Sequence, residues 1–365
     1  MKYYIIAGER SGDLHSSNLI KSIKQLDSQA EFKGYGGDYM QEAGAEISVH
    51  YKDLAFMGFL EVVKNLRTIK GYLKRCKQEI LDYKPNAIIL VDYAGFNLKI
   101  AGFAKKHNIP VYYYISPKVW AWNQKRAWKI KDRVDHMMTI MPFEKEFYKK
   151  FDWEVDYVGN PVLDAVKSHQ ISAEKLNGIN DYVAILPGSR KQELESILPT
   201  LSEVVDAFPQ MKFAVAAVNN LSEDSYSVIA EKPNVQLFEG STYDLLAGAK
   251  AAIVTSGTAT LETAMWEVPQ IVVYKTSGVS YAIAKSLIKV PYISLVNLIA
   301  DKEVVRELIQ KEMNPQSIQN ELNRVLNDTD YRQNMLNDYQ EIKKKLDIGR
   351  ASDNAAKIIV DRMKS

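Results

Sequence analysis

The chain has 365 residues, of which 46% are hydrophobic and 25% charged, with a formal net charge of +2. That length predicts two domains, because one hydrophobic core stops growing at about 250–300 residues, and the near-neutral charge gives no signal for nucleic acid as a partner. A single cysteine, Cys76, excludes a disulfide framework and a cysteine metal site, and the five histidines are scattered without metal-ligand spacing.

The first half of the chain alternates short apolar runs with helical patterns, which predicts βαβ units and a mostly parallel sheet. The apolar run at the N-terminus is too short for the apolar region of a signal peptide, and no apolar run is long enough to span a membrane. We therefore expect a cytoplasmic protein. The predicted strands are Tyr3–Ala7, Ala87–Val91, Val111–Ile115, Met137–Ile140 and Val155–Val158.

A polar stretch at 167–181 predicts a connector, and a second series of strands and helices follows it. We therefore predict an N-terminal domain at 1–166, a second parallel-sheet domain at 167–340 and a C-terminal helix at 341–365. The strands of the second series are Tyr182–Leu186, Lys212–Val215, Val235–Phe238, Ala251–Thr255 and Gln270–Val273.

Ligands of parallel α/β sheets bind where the strands end, so the residues after each strand are the informative ones. "LPGSRKQE" at 186–193 places Gly188 in a tight turn, with Ser189 and Arg190 ready to hold a phosphate. The alternative is a surface loop with a solvated arginine.

"TSGTATLE" at 255–262 is a second candidate phosphate loop. Its small residues Ser256, Gly257 and Thr258 begin a helix, whose N-terminus attracts anions, and Glu262 could accept hydrogen bonds from a ribose diol. A capping box explains the same residues without a ligand. Together the two loops favour a nucleoside diphosphate site, and no Walker-type motif accompanies them.

The first domain carries acids where the second carries phosphate-type loops. Asp92 ends a predicted strand, where a carboxylate suits a general base, although a turn or capping aspartate fits equally well. "AGERSGD" adds Glu9 and Asp13, acids that suit a polyhydroxyl acceptor, and Ser11, which could hold a lone phosphate. We therefore expect donor phosphate in domain two and acceptor hydroxyl in domain one.

Two basic segments allow more than one interpretation. In 56–77, apolar and basic residues fit either a core helix or a membrane-binding helix. "SPKVWAWNQKRAWKIKDR" at 116–133 fits a nucleic-acid surface, but the small net charge favours a half-buried amphipathic helix. The residues of 56–77 assigned to acceptor or membrane contact are Phe56, Phe59, Val63, Leu66, Lys70 and Lys74.

Nine motifs, in this order, resemble the lipid-A-disaccharide synthase family over nearly the whole chain. They are "AGERSGDLH", "DLAFMGFLEV", "VDYAGFN", "SPKVWAWNQKR", "PFEKEFY", "VGNPVLD", "LPGSR", "SGTATLE" and "YISLVNLIA". The resemblance implies the α/β GT-B architecture: two Rossmann-like domains facing a cleft, with a C-terminal helix returning to the N-terminal domain.

The resemblance also implies a reaction, an inverting transfer without an obligatory cofactor. Diacylglucosamine passes from UDP to the 6-hydroxyl of diacylglucosamine 1-phosphate, giving a β-1,6-linked disaccharide for lipid A. Glu9, Ser11 and Asp92 match the catalytic region, and Arg190, Glu262 and Asn297 match positions linked to activity or the UDP-sugar. Gly95 departs from the family, which often has a second acid there.

These substrates imply an enzyme that lies on the anionic inner face of the inner membrane. No nucleic acid is expected as a partner, and whether the protein is a homodimer is left open. Two alternatives remain. A UDP-N-acetylglucosamine 2-epimerase would share the scaffold but lack a surface for acyl chains. A two-domain sugar-binding protein would be exported, which the N-terminus does not favour.

Overall fold

The structure is a computed structural model that describes residues 1–54, 66–172, 181–218 and 221–364. The chain divides into two compact units. Unit 1 comprises Met1–Pro161 and Asp347–Ser365, and unit 2 comprises Val162–Leu346. Each contains a parallel sheet, which confirms the prediction of two parallel α/β domains.

The described part of unit 1 has a seven-stranded parallel sheet in the order β3-β2-β1-β4-β5-β6-β7. Its central strands are continuous apolar runs because both faces are buried. The strands are β1 (Lys2–Ala7), β2 (Glu31–Gly36), β3 (Ala45–His50), β4 (Ala87–Val91), β5 (Val111–Tyr114), β6 (His136–Thr139) and β7 (Asp156–Tyr157).

Helices connect these strands, and a 3₁₀ turn at Tyr51–Asp53 precedes the gap in the described residues. Because parallel neighbours need crossover connections, the helices follow the strands in sequence. They are α1 (Arg10–Leu26), α2 (Asp38–Glu42), α3 (Leu66–Tyr83), α4 (Ala94–Lys106), α5 (Val119–Trp122), α6 (Arg126–Lys131) and α7 (Phe143–Lys149). The next helix, α8 (Pro161–Ser168), follows β7 and belongs to unit 2 from Val162 onward.

Unit 2 has, within its described residues, a six-stranded parallel sheet in the order β10-β9-β8-β11-β12-β13. Its strands are β8 (Tyr182–Leu186), β9 (Lys212–Ala216), β10 (Val235–Phe238), β11 (Ala249–Thr255), β12 (Gln270–Tyr274) and β13 (Glu307–Ile309). A 3₁₀ turn lies at Glu223–Tyr226. The helices are α9 (Lys191–Asp206), α10 (Ser227–Ala230), α11 (Thr242–Ala247), α12 (Thr258–Met265), α13 (Gly278–Leu287), α14 (Leu295–Ala300), α15 (Pro315–Asn327) and α16 (Thr329–Leu346).

The last helix, α17 (Ala351–Lys364), belongs to unit 1 and packs on α1. Ile359 and Val360 are buried in the same apolar cluster as Ile20, and the hydroxyl of Ser22 donates a 2.6 Å hydrogen bond to Asp353.

The expected boundary at 340 falls inside α16, which continues to Leu346 within unit 2. No described helix combines the length and apolarity that a membrane span requires.

Candidate active site

Glu9 and Asp92 lie together at the carboxyl edge of the unit 1 sheet. They follow the neighbouring strands β1 and β4, which pair in parallel with Ala7 opposite Val91. The Tyr93 ring packs against Gly8 so closely that a Cβ there would collide with it. The turns after the two strands are therefore in contact, and the two carboxylates belong to one site.

The Asp92 backbone is held in an unfavourable conformation. Asp92 and Tyr93 have φ values of +43° and +46°, left-handed angles that cost about 1–3 kcal/mol each in residues other than glycine. Buried Asn97 donates a 2.8 Å hydrogen bond to the Asp92 carbonyl, and the Tyr113 hydroxyl donates to the same oxygen. These bonds hold the strained turn in one geometry.

The environment of Asp92 raises its pKa above the usual range of an aspartate. The surrounding protein keeps part of the bulk water away from the Asp92 carboxylate, and this desolvation raises its pKa. The negative charge of Glu9 raises the pKa further. The Lys118 ammonium and the Tyr93 amide oppose that rise. Glu9 precedes α1 without capping it, so its exposed carboxylate is not used by the helix. Ser11 is exposed in the first turn of α1.

Asp13 has a structural position, contrary to its expected place among the acceptor-binding acids. Its side chain is 1% exposed and accepts hydrogen bonds from the amides of Gly37, Tyr39 and Met40 at 2.8–3.1 Å. Those amides begin α2, whose N-terminus favours a negative charge. This acid therefore joins α1 to α2.

The loop after β8 contains an acid of its own. Glu193 Oε2 accepts hydrogen bonds from the amides of Ser189, at 3.0 Å, and Arg190, at 3.2 Å. Gly188 has a φ of +110°, and a Cβ there would collide with the same carboxylate. Glu193 thus accepts the hydrogen bonds of amides that were expected to bind a phosphate. The Arg190 guanidinium, 72% exposed, remains accessible.

The loop after β11 leaves its amides open. Ser256 donates its hydroxyl to the Ile293 carbonyl, and Thr260 donates its own to the Gly257 carbonyl. Within the described residues, the amides of Gly257, Thr258 and Ala259 have no acceptor. An anion would satisfy these donors, because the first amides of a helix have no partner inside it.

An aromatic cluster that contains Tyr243 lies next to Glu262 on α12. Burial raises the Glu262 pKa, and the neighbouring Tyr243 hydroxyl opposes that rise. The rings of His169 and Trp266 lie 5.3 and 6.1 Å from that of Tyr243. Sequence analysis missed these aromatics, although Tyr243 follows β10 closely and the strand-end rule would have found it. No described group of three or more His, Cys, Asp or Glu could hold a metal ion.

Sequence relatives decide the family. The model for lipid-A-disaccharide synthetase matches residues 3–360. The lipid-A-disaccharide synthase of Syntrophus aciditrophicus is 39% identical, over 96% of this chain and 95% of the relative. That of Coxiella burnetii (strain CbuG_Q212) is 35% identical, over 97% and 96%. The chain belongs to the lipid-A-disaccharide synthase family. It is a glycosyltransferase of lipid A biosynthesis.

Solved structures share the GT-B fold of this lipid-A-disaccharide synthase family member. UDP-GlcNAc 2-epimerase from Neisseria meningitidis, bound to UDP-GlcNAc, has a TM-score of 0.65 at 15% identity over 100% of both chains. The glycotransferase of kitacinnamycin has a TM-score of 0.66 at 13% identity, over 99% of this chain and 98% of its own. Such low identity shows the fold alone, so the epimerase alternative is not favoured.

Asn297, which the synthase resemblance links to the UDP-sugar, lies inside unit 2. Its amide donates to Val305 and Glu307 at 2.9 Å and accepts from the amides of Val304 and Val305 at 2.8 and 3.0 Å. All of these partners belong to the segment from α14 to β13. The side chain is completely buried, so its visible role is to hold that segment.

The synthase's predicted acceptor or membrane segment is described only in part. Phe56, Phe59 and Val63 lie outside the described residues. Leu66 begins α3, on which Lys70 and Lys74 are exposed. The same helix buries Leu73, Cys76 and Ile80, so its described part is a core-packing helix with a solvated basic face.

Gly95, where the resemblance implies a second acid, is the second residue of α4, the helix after Asp92. A Cβ built on Gly95 meets no atom within 4 Å. The local structure therefore does not require glycine, and Asp92 is the only carboxylate of the described loop Val91–Asn97.

Proposed function

We propose that the chain transfers 2,3-diacylglucosamine from UDP to the 6-hydroxyl of 2,3-diacylglucosamine 1-phosphate. The products are the β-1,6-linked disaccharide 1-phosphate and UDP, and the anomeric carbon inverts. The observation that carries this proposal is the Glu9–Asp92 pair, a base-competent site in a chain related to synthases over its whole length. No metal or other cofactor is assigned a role.

Unit 1 binds the acceptor and supplies the base in this proposal. An attacking hydroxyl must lose its proton as the new bond forms, and a carboxylate with a raised pKa is a stronger acceptor. Asp92 takes that proton, and its fixed backbone keeps the carboxylate oriented. Glu9 raises the basicity of Asp92 and accepts hydrogen bonds from acceptor hydroxyls. Ser11 donates to the acceptor phosphate.

Unit 2 binds the donor and stabilises the departing diphosphate. The open amides at the α12 N-terminus, at Gly257, Thr258 and the following residue, face the negative charge that develops on UDP. Arg190 adds a bidentate cation. Gly188, Ser189 and Ser256 shape these two loops. Glu262 accepts hydrogen bonds from the ribose, and Asn297 acts through the segment it holds.

The location and assembly of the enzyme are part of the same proposal. Because the substrates carry acyl chains, we propose peripheral contact with the anionic inner face of the inner membrane. Lys70 and Lys74 on α3 supply exposed positive charge for that contact. Phe56, Phe59, Val63 and Leu66 are proposed as its apolar part. A homodimer is compatible with this arrangement.

The test is a transfer assay with both purified lipid substrates in detergent, read by thin-layer chromatography and UDP release. We expect a disaccharide monophosphate whose anomeric proton coupling shows a β linkage. Arg190→Ala should weaken UDP binding in calorimetry, whereas Lys357→Ala, on the exposed face of α17, should not. UDP release without a disaccharide, or epimerised UDP-sugar, would overturn the proposal.

A further inference from the structure

Two tryptophans of unit 1 are exposed to solvent. Trp122 on α5 is 44% exposed and Trp128 on α6 is 51% exposed. Arg126 stacks over the Trp122 ring at 5.6 Å, and Lys131 stacks over the Trp128 ring at the same distance. Large aromatic side chains that remain in water next to cations indicate a binding surface rather than a core.

The core contacts of this segment are made by other residues. Trp120 is buried and donates its indole N–H to Glu144 at 3.2 Å, and Ala127 and Ile130 are buried on α6. The segment is half-buried as predicted, but it forms two short helices instead of one amphipathic helix. Trp128 also packs edge-on against Phe151, with the ring centroids 5.4 Å apart, while half of its surface remains exposed.

The charge around the two tryptophans has one sign. Residues 116–133 contain six Lys and Arg against one acid, Asp132. Lys131 and Arg133 donate to backbone carbonyls, which fixes them in the fold. Lys125 and Lys129 are exposed, and neither forms an ion pair with any described residue. Their charge is available to an anionic partner.

We propose that this tryptophan surface, formed by Trp122, Lys125, Arg126, Trp128 and Lys129, docks on a bilayer that contains anionic lipid. Indole rings prefer the boundary between headgroups and acyl chains, and basic residues next to them are attracted to acidic headgroups. The surface is distinct from α3 and consists entirely of described residues. The choice of a lipid partner rests on the proposed function, whose substrates are acylated.

Vesicle cosedimentation of the full chain tests the charge requirement. Wild type should bind vesicles of phosphatidylcholine with phosphatidylglycerol, and bind less as salt rises from about 0.1 to 0.5 M. Lys125→Glu with Lys129→Glu should weaken binding about 25-fold or more, since each basic residue near such a surface contributes about fivefold. The matched control, Lys21→Glu with Lys357→Glu, makes the same charge change on exposed sites of α1 and α17.

Brominated lipids test the tryptophans themselves. They should quench the fluorescence of wild type on anionic vesicles, and Trp122→Phe with Trp128→Phe should remove most of that quenching. Trp122→Ser with Trp128→Ser should weaken vesicle binding while circular dichroism shows that the variant is folded. Undiminished vesicle binding and quenching in these variants would overturn the proposal. An equal loss of vesicle binding in the control, Lys21→Glu with Lys357→Glu, would also overturn it.

Two further measurements distinguish a lipid-binding surface from a nucleic-acid site and from a part of the catalytic site. A short single-stranded oligonucleotide should not bind at the same salt; if it binds and anionic vesicles do not, the surface is a nucleic-acid site and the proposal fails. The surface variants should keep wild-type transfer in detergent but lose it when substrates are embedded in anionic vesicles. If wild type transfers no sugar in detergent, the proposed function is rejected. The docking proposal is judged separately, because vesicle binding is measured without substrate.

Discussion

The carboxylate of Glu193 accepts a 3.0 Å hydrogen bond from the amide of Ser189, four residues earlier. A second bond from Arg190 completes a cap on α9. The amides of Ser189 and Arg190 are therefore satisfied before any ligand binds, and of these two residues it is the Arg190 side chain that remains for a diphosphate. The phosphate loop predicted from "LPGSR" is thus partly a helix cap.

Glu193→Ala should lower the melting temperature by a few degrees, because loss of a helix cap costs about 1 kcal/mol. Glu193→Gln is the matched control, since its amide oxygen can still accept from Ser189 and Arg190. Differential scanning calorimetry distinguishes the two variants. Equal melting temperatures for both would show that the cap contributes nothing measurable.

Asp92→Asn should reduce turnover about 10²–10⁴-fold, the usual contribution of a general base, because the amide cannot take the acceptor proton. UDP affinity, measured by calorimetry, should remain unchanged, since Asp92 lies in unit 1 and the proposed diphosphate site lies in unit 2. Turnover close to wild type would transfer the base role to Glu9.

Glu9→Gln should shift the acid limb of the kcat/KM profile to lower pH. The charge of Glu9 raises the Asp92 pKa, so its removal lowers that pKa and leaves Asp92 deprotonated in more acidic solution. Lys118→Met should shift the same limb to higher pH, because the lysine lowers the Asp92 pKa. Shifts of the same sign in both variants would contradict this electrostatic account.

Tyr243→Phe should weaken UDP binding about fivefold, the usual effect of losing one polar contact, because the Tyr243 hydroxyl is a polar neighbour of the Glu262 carboxylate. The substitution keeps the ring beside His169 and Trp266. Binding of 2′,3′-dideoxy-UDP, which lacks the ribose diol, should be the same in both proteins. An equal loss for the dideoxy nucleotide would show that Glu262 does not recognise the ribose.

Asp13→Ala should destabilise unit 1 by several kcal/mol, because three amides lose their shared acceptor and an unsatisfied buried group costs about 1–3 kcal/mol. Urea unfolding followed by circular dichroism measures this loss. Glu9→Gln, at the exposed start of the same helix, is the control and should unfold like wild type. If Asp13→Ala unfolds at the control's urea midpoint, the carboxylate does not support α2.

The apolar runs of β1 and β4 identified the strands from which the candidate base projects, because buried parallel strands have few polar residues. The strands β2 and β3 were missed, since Lys33, Gly34 and other non-apolar residues interrupt their patterns. Gly34 is required where the Ile5 backbone approaches it, a long-range contact that local sequence does not reveal.

The roles of individual acids were harder to predict than the strands. Glu9, Asp13 and Asp92 look alike in a sequence, yet one is exposed before a helix, one is buried against α2 and one lies in a strained turn. The distinction depends on partners more than twenty residues away. The bonds of Asn297 join residues only seven to ten positions apart, but no local pattern distinguishes an asparagine that holds a segment from one that binds a ligand.

The helix α17 has a consequence for how the protein is made. Residues of α17, including Ile359 and Val360, fill the core of unit 1 beside Ile20, although almost the whole chain separates them. During synthesis the N-terminal segment leaves the ribosome with that side of α1 uncovered, while unit 2 is already complete in sequence. The unit that begins the chain is thus the last to finish folding, and a nascent chain that stops at Leu346 carries a folded second half attached to an unfinished first.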